Sequence, residues 1–296
     1  MSVQKGTEGD SPQENARIRD QHQLAASRWL QSHGDGTLKV DCLLGAGGFS
    51  TCWLLRWTNP PNENLALKVI SQDRLSDTKR ACIRRELSIH STLQHQNVVD
   101  FIRYAYDGDD LVLIFMEYCP GGTLSQMVKA ARLPEDRIQQ VAQQVLAALR
   151  YIHSESVLHR DIKPANILIC DNRPNSLQVK LADFGLSVRM HPSRDLRVHC
   201  GTPYYFSPEM VQNQSYSFPT DIWSYGITIY YCFVGSTPFY KKDLARDMIF
   251  KRIVSATIRY PSQMSPGLVN FLKSILVRDP SQRLCLAHLQ KHPWLR

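Results

Sequence analysis

Six short motifs follow one another along this chain, and their order constrains the fold more than any one of them does. They are Gly45-Ala46-Gly47-Gly48-Phe49-Ser50, Leu65-Ala66-Leu67-Lys68, a Glu86 inside a helical run, His159-Arg160-Asp161 with Asn166, Asp183-Phe184-Gly185, and Ser207-Pro208-Glu209. The glycine run alone says little, because glycine serves any tight turn. A dinucleotide-binding loop would need a helix directly after it. Here Thr51-Cys52-Trp53-Leu54-Leu55 follows and reads as a strand. Ser50 closes the run where glycine is the alternative. A left-handed backbone there would cost a non-glycine residue about 1–2 kcal/mol, so Ser50 is read as unstrained.

The pattern along the chain changes character twice. Residues 1–36 are rich in Gln, Ser, Gly and charge, and are read as a flexible tail with one helical turn around Gln23–Leu30. From Leu38, alternation through Val40–Leu44 and Cys52–Trp57 gives two strands, and the turn-rich Asn59-Pro60-Pro61-Asn62 precedes a third, Leu65–Ile70. Lys79–Leu93 has helical spacing, and Phe101–Tyr106 and Leu111–Met116 form a hairpin across Asp107-Gly108-Asp109-Asp110. After Pro120-Gly121-Gly122 the pattern becomes helical, with Leu124–Ala131 and then Glu135–His153. A small sheet thus precedes a helical half.

Composition narrows the class. The 296 residues are 43% hydrophobic and 21% charged, which suits a folded chain with a sizeable core. The net charge is +8, and because residues 1–36 hold four bases against five acids, the excess lies in the rest. No run of five consecutive bases occurs, so nucleic-acid binding is not expected. None of the eight cysteines forms a Cys-x-x-Cys pair, and the N-terminus has no apolar signal segment. The apolar stretch Ile222–Val234 is too short to cross a bilayer. The expected setting is reducing and intracellular, in the cytoplasm, with no membrane partner.

Taken together, the six motifs resemble those of the eukaryotic-type Ser/Thr protein kinase catalytic domain, over roughly Gly36 to Arg296. The subfamily signals are mixed. Gly47-Gly48-Phe49-Ser50-Thr51-Cys52 resembles polo-like kinases, Ile162-Lys163-Pro164-Ala165-Asn166 the NIMA-related group, and Gly235-Ser236-Thr237-Pro238-Phe239 the Aurora kinases. The resemblance implies an α+β, two-lobed fold. A small antiparallel-sheet lobe with one helix would span 37–117, a hinge 117–122, and a larger, mostly helical lobe 123–296.

It also implies ATP and Mg2+, and a role for each matching residue. Gly45, Ala46, Gly47, Gly48, Phe49 and Ser50 would cover the nucleotide phosphates. Cys52 and Ala66 would roof the adenine, Leu168 would floor it, and Met116 would stand as gatekeeper. Glu117 and Cys119 would offer backbone groups to the base. Lys68 would hold the α- and β-phosphates and pair with Glu86. Asp161 would accept the proton of the substrate hydroxyl, with Lys163 as the Ser/Thr-type companion, while Asn166 and Asp183 would hold metal. His159 would pack against Phe184, Glu209 would pair with Arg283, and Asp221 would tie down the catalytic loop.

The expected reaction is transfer of the γ-phosphoryl group of ATP to Ser or Thr hydroxyls of protein substrates. The alternatives are a pseudokinase scaffold that binds nucleotide, which the presence of Lys68, Asp161, Asn166 and Asp183 opposes, and a small-molecule kinase, which the peptide-groove stretch Gly201–Glu209 opposes. Kinases that select arginine upstream of the target carry acids at the positions of Thr123 and Ala165, so no such preference is expected here. The position three residues before Gly201, where related kinases carry an activating phosphothreonine, is Val198. Either Asp195 substitutes by pairing with Arg160 or Arg197, or a regulatory partner or another site such as Ser193 contributes. Basal activity without a phosphate at the usual position is the expectation.

Overall fold

A computed structural model describes residues 12–33, 37–47, 50–58, 63–73, 75–173, 176–191 and 195–296. The chain divides into two compact units, one of Met1–Ala81 with Asp100–Tyr118, the other of Cys82–Val99 with Cys119–Arg296. The segment before residue 100 that carries Glu86 therefore groups with the later, helical part of the chain.

In the first unit, α1 (Pro12–His33) precedes the strands β1 (Leu38–Ala46), β2 (Ser50–Trp57), β3 (Leu65–Ser71), β4 (Phe101–Asp107) and β5 (Leu111–Glu117). All neighbours pair antiparallel, in the order β1-β2-β3-β5-β4. Strand alternation divides the sheet into two faces. Trp53, Leu55, Leu67, Val69, Leu113 and Phe115 point to one face and form a core with Ala26, Trp29 and Leu30 of α1.

That helix replaces the flexible tail expected for residues 12–33. His22, Ala26, Trp29 and Leu30 are all buried and fall at helical spacing, so one narrow stripe docks an otherwise polar helix on the sheet. Arg103 lies over the rings of Trp29 and Phe115, 5.4 and 4.2 Å from their centroids, and lays its stem and charge along the same seam.

The helix α2 (Asp77–His90) begins in the first unit and continues into the second. The second unit then runs through α3 (Leu124–Ala130), α4 (Glu135–Ser154), β6 (Val157–Leu158), β7 (Ile167–Arg173), β8 (Ser176–Leu181), β9 (Val188–Arg189), α5 (Pro208–Val211), α6 (Pro219–Val234), α7 (Arg246–Ser255), α8 (Pro266–Ile275) and α9 (Leu286–Leu289). Thr123 caps α3 through a reciprocal pair with Gln126. The helix α4 buries Ile138, Val141, Ala142, Val145, Leu149 and Ile152 at helical spacing. The helix α6 is buried nearly all round, starts on Pro219, and ends on Gly235 in the left-handed conformation at φ 81°. At its middle, a Cβ on Gly226 would come within 2.6 Å of Ile275, so the glycine lets α6 and the end of α8 meet.

Candidate active site

Each unit gathers part of the predicted set. In the first, Cys52 stands opposite Lys68, and Ala66 opposite Met116, in register across β2, β3 and β5. Because side chains alternate, Cys52, Ala66, Lys68 and Met116 share the sheet face turned away from α1. Gly45 pairs with Cys52, and Ala46 with Thr51, as β1 reaches the glycine turn. The amide of Gly47 donates to the carbonyl of Ser50 at 2.7 Å and closes that turn, while Ser50 opens β2 without a left-handed backbone. Gly48 and Phe49 lie outside the described residues. Glu117 Oε2 accepts from the Asp100 amide at 3.1 Å, and the Glu117 amide donates to the Asp100 carbonyl at 3.0 Å, which fixes the end of β5.

In the second unit the site is built on the loop between β6 and β7. Asp161 is buried, and four hydrogen bonds converge on its carboxylate. Lys163 Nζ is 2.6 Å from Oδ2, and Asn166 Nδ2 is 3.1 Å from the same atom. The amide and hydroxyl of Thr202 both donate to Oδ1, at 3.0 and 2.9 Å, and Lys163 Nζ donates to the Thr202 hydroxyl at 2.8 Å. Charge-assisted bonds of this kind are the strong ones, and four of them fix one carboxylate. Gly201, at φ 100°, makes the approach possible, since a Cβ there would sit 2.7 Å from the Arg160 carbonyl.

The hairpin of β7 and β8 pairs Ile167 with Leu181, and the Ala182 amide donates to the Asn166 carbonyl at 2.8 Å. Asn166 and Asp183 are thereby brought to the same end of one hairpin. Asn166 spends its amide nitrogen on the Asp161 carbonyl and carboxylate, which leaves the amide oxygen as its other polar atom. Asp183 holds a left-handed backbone at φ 64°, a conformation that non-glycine residues keep only where the surroundings impose it. An amide oxygen beside a carboxylate is a hard, oxygen-only donor set, and few protein ligands with room for phosphate and water suit Mg2+. The residues fit the metal.

Around this centre the support is buried. Asp221 is fully enclosed and accepts from the backbone amides of His159 and Arg160, both at 2.9 Å, and from His153 Nε2 at 2.9 Å. Burial drives its carboxyl upward, but the bond from His153 and the interactions with His159 prevail and hold it below the ordinary value. Phe184 is buried between the rings of His90 and His159, with centroids 4.8 and 5.1 Å away. The Glu86 carboxylate lies beside Gly185, where a Cβ would come within 3.3 Å of Oε2. Leu168 is half-buried on β7 and bridges to Thr123, while Cys119 is buried. Glu209 and Arg283 form the expected buried pair, at 2.7 and 2.6 Å.

In the loop before Thr202, Asp195 takes one of the two partners expected for it. Asp195 pairs with Ser215 and with Arg197, the latter at 2.8 Å in the open, rather than with Arg160. Arg160 instead donates to the Leu186 carbonyl at 2.6 Å and to the Tyr216 hydroxyl at 3.3 Å. Neither Tyr216 nor His153 belongs to a motif, and only the folded arrangement reveals them. Ser193 lies outside the described residues.

Residues 38–295 match the protein kinase domain, so the chain belongs to the protein kinase family. It is a eukaryotic-type Ser/Thr protein kinase domain, the class of enzyme that moves the γ-phosphoryl group of ATP onto Ser and Thr hydroxyls. Aurora kinase C of Mus musculus is 34% identical over 258 residues, covering 86% of this chain and 89% of that protein. Aurora kinase B of Danio rerio is 34% identical over 255 residues, covering 86% and 77%. The "Probable myosin light chain kinase" of Dictyostelium discoideum is 33% identical over 259 residues, and the chain spans 53% of its length.

Proposed function

We propose that Asp161 orients the attacking hydroxyl of a Ser or Thr in a protein substrate and takes up its proton as the phosphoryl group of ATP is transferred. The observation that carries this reading is the four-bond hold on the Asp161 carboxylate by Lys163, Asn166 and Thr202. Phosphoryl transfer asks a protein for positioning and charge stabilisation more than for covalent work. A carboxylate fixed this way is preorganised, so little reorganisation is required when the hydroxyl arrives. Lys163 keeps a cation beside the carboxylate, where it offsets negative charge that gathers on the reacting phosphoryl oxygens.

Lys68, with Cys52, Ala66 and Met116 on the same sheet face, serves the nucleotide: Lys68 its α- and β-phosphates, the others its base. Gly45, Ala46, Gly47, Gly48, Phe49 and Ser50 close over the phosphates. Glu86 orients Lys68, Leu168 floors the base, and Glu117 and Cys119 offer it backbone groups. Asn166 and Asp183 would hold Mg2+, which when bound neutralises charge on the phosphates. An intracellular setting accords with cysteines that form no disulfide among the described residues. No helix among the described residues is long and apolar enough to cross a membrane.

The test is Asp161→Asn, assayed with ATP, magnesium and a Ser/Thr peptide array. Transfer falls by about 10²–10⁴, the typical worth of a positioned acid–base group, while the protein stays folded and nucleotide affinity stays close to wild type. Lys68→Met loses transfer to a similar degree, with weakened nucleotide binding. Turnover of Asp161→Asn within about threefold of wild type overturns the assignment.

A further inference from the structure

The Arg160 guanidinium is buried, at 8% exposure, and needs acceptors. It finds two, the Leu186 carbonyl at 2.6 Å and the Tyr216 hydroxyl at 3.3 Å. Tyr216 is itself buried, at 3% exposure, and its hydroxyl donates to the Val198 carbonyl at 2.8 Å. Burial pushes the Tyr216 phenol up to about 12, so near neutral pH it keeps the hydrogen that this bond requires. Its backbone amide also donates to the Leu196 carbonyl at 3.0 Å. One residue thus fastens the loop twice over three positions.

The Val198 side chain is 63% exposed and plays no part in this; only its carbonyl is held. Four residues further on, Thr202 places its amide and hydroxyl on Asp161. Gly201, between them, has a backbone that follows no regular structure and packs tightly on the Arg160 carbonyl. Freedom at Val198 would therefore be felt at Thr202.

We propose that Tyr216 is a positioning residue that links buried Arg160 to the Val198 carbonyl and so keeps Thr202 on Asp161 without a phosphate on the loop. The neutral phenol occupies the guanidinium and ties down the chain, two tasks for which a loop phosphate would otherwise supply charge and oxygen acceptors. This rests on the reading of Asp161 given above.

The experiment compares wild type, Tyr216→Phe, Thr202→Val and the double variant. All are treated with phosphatase, confirmed by mass to be unmodified, and assayed with ATP, magnesium and one Ser/Thr peptide. Tyr216→Phe keeps the ring and its packing. Its kcat falls about tenfold, in line with losing a hydrogen bond to a charged group, while KM for ATP stays within about twofold. Because Tyr216 acts through Thr202, whose amide still reaches Asp161 in Thr202→Val, the double variant loses less than the product of the two single losses.

Three results would overturn the proposal: an unchanged kcat in Tyr216→Phe, losses that multiply in the double variant, or a more than tenfold loss in wild type on removal of phosphate. The last stands even if Tyr216→Phe does not fold. Should dephosphorylated wild type and a deliberately phosphorylated sample both fail to transfer phosphate to any Ser/Thr peptide, the reading of Asp161 fails instead.

Discussion

Glu209 and Arg283 meet as a two-pronged ion pair in which the side chains are 2% and 0% exposed. The same guanidinium donates to the carbonyls of Val277, Arg278 and Pro219, and it stands 5.1 Å above the ring of Trp223. It therefore gathers the segment after α8, the start of α6 and the start of α5 on one cation.

Arg283→Met is predicted to destabilise the second unit by about 3–5 kcal/mol, because it leaves the Glu209 carboxylate buried without a partner. The double variant Arg283→Met/Glu209→Leu should recover part of that loss, since no charge is left stranded. Chemical denaturation monitored by Trp fluorescence measures both. A loss under 1 kcal/mol in the single variant would show that the pair contributes little.

Acid should act through Asp221. Its folded carboxyl lies below the ordinary value of 3.8. Its stabilising contribution is thus complete above 3.8 and disappears as pH falls below it through the folded value. Wild type should lose stability more steeply than Asp221→Asn over that range, although the variant starts weaker. Parallel curves would refute it.

A second pH effect belongs to α1. The Thr51 hydroxyl accepts from Trp53 Nε1 at 2.8 Å and lies 3.0 Å from His22 Nδ1. With its one hydrogen directed to His22, it fits the neutral ring, and burial lowers the His22 pKa below 6.5. Unfolded chains then take up a proton first, so stability is complete above 6.5 and declines as pH drops below it. His95 and His292 are also lowered by burial and contribute a background. His22→Asn, which keeps an acceptor near the Nδ1 position, should flatten the fall in melting temperature between about pH 7.5 and 5.5. An unchanged slope in the variant would exclude His22 as its source.

Peptide selection should show no strong demand for arginine two or three residues upstream of the target. The Thr123 hydroxyl is committed to capping α3 with Gln126, and Ala165 is exposed in the short turn before Asn166. Neither offers a carboxylate to a guanidinium. A positional-scanning library settles this, and enrichment of arginine at those two positions would contradict it.

Much of the second unit's chemistry was readable from sequence because its motif residues act locally. Asp161, Lys163 and Asn166 meet within one turn of chain, and β7 and β8 carry Asn166 to Asp183. The α1 helix was not readable, for a physical reason. Its buried stripe consists of a histidine, an alanine, a tryptophan and a leucine in a strongly polar run, and two of those four carry little apolar signal. Tyr216 escaped for a different reason: its meaning depends on Arg160, 56 positions away. Spacing along the chain cannot encode that contact.

The docking of α1 has a practical corollary for anyone trimming this protein. The match to the protein kinase domain begins at residue 38, yet the sheet face formed by Trp53, Leu55, Leu67, Val69, Leu113 and Phe115 is covered by residues that precede it. A fragment started at the family boundary would present that face bare to water. Contiguous apolar surface of this kind recruits other chains. Its poor yield would then be mistaken for an unstable catalytic unit, when only its missing cover is at fault.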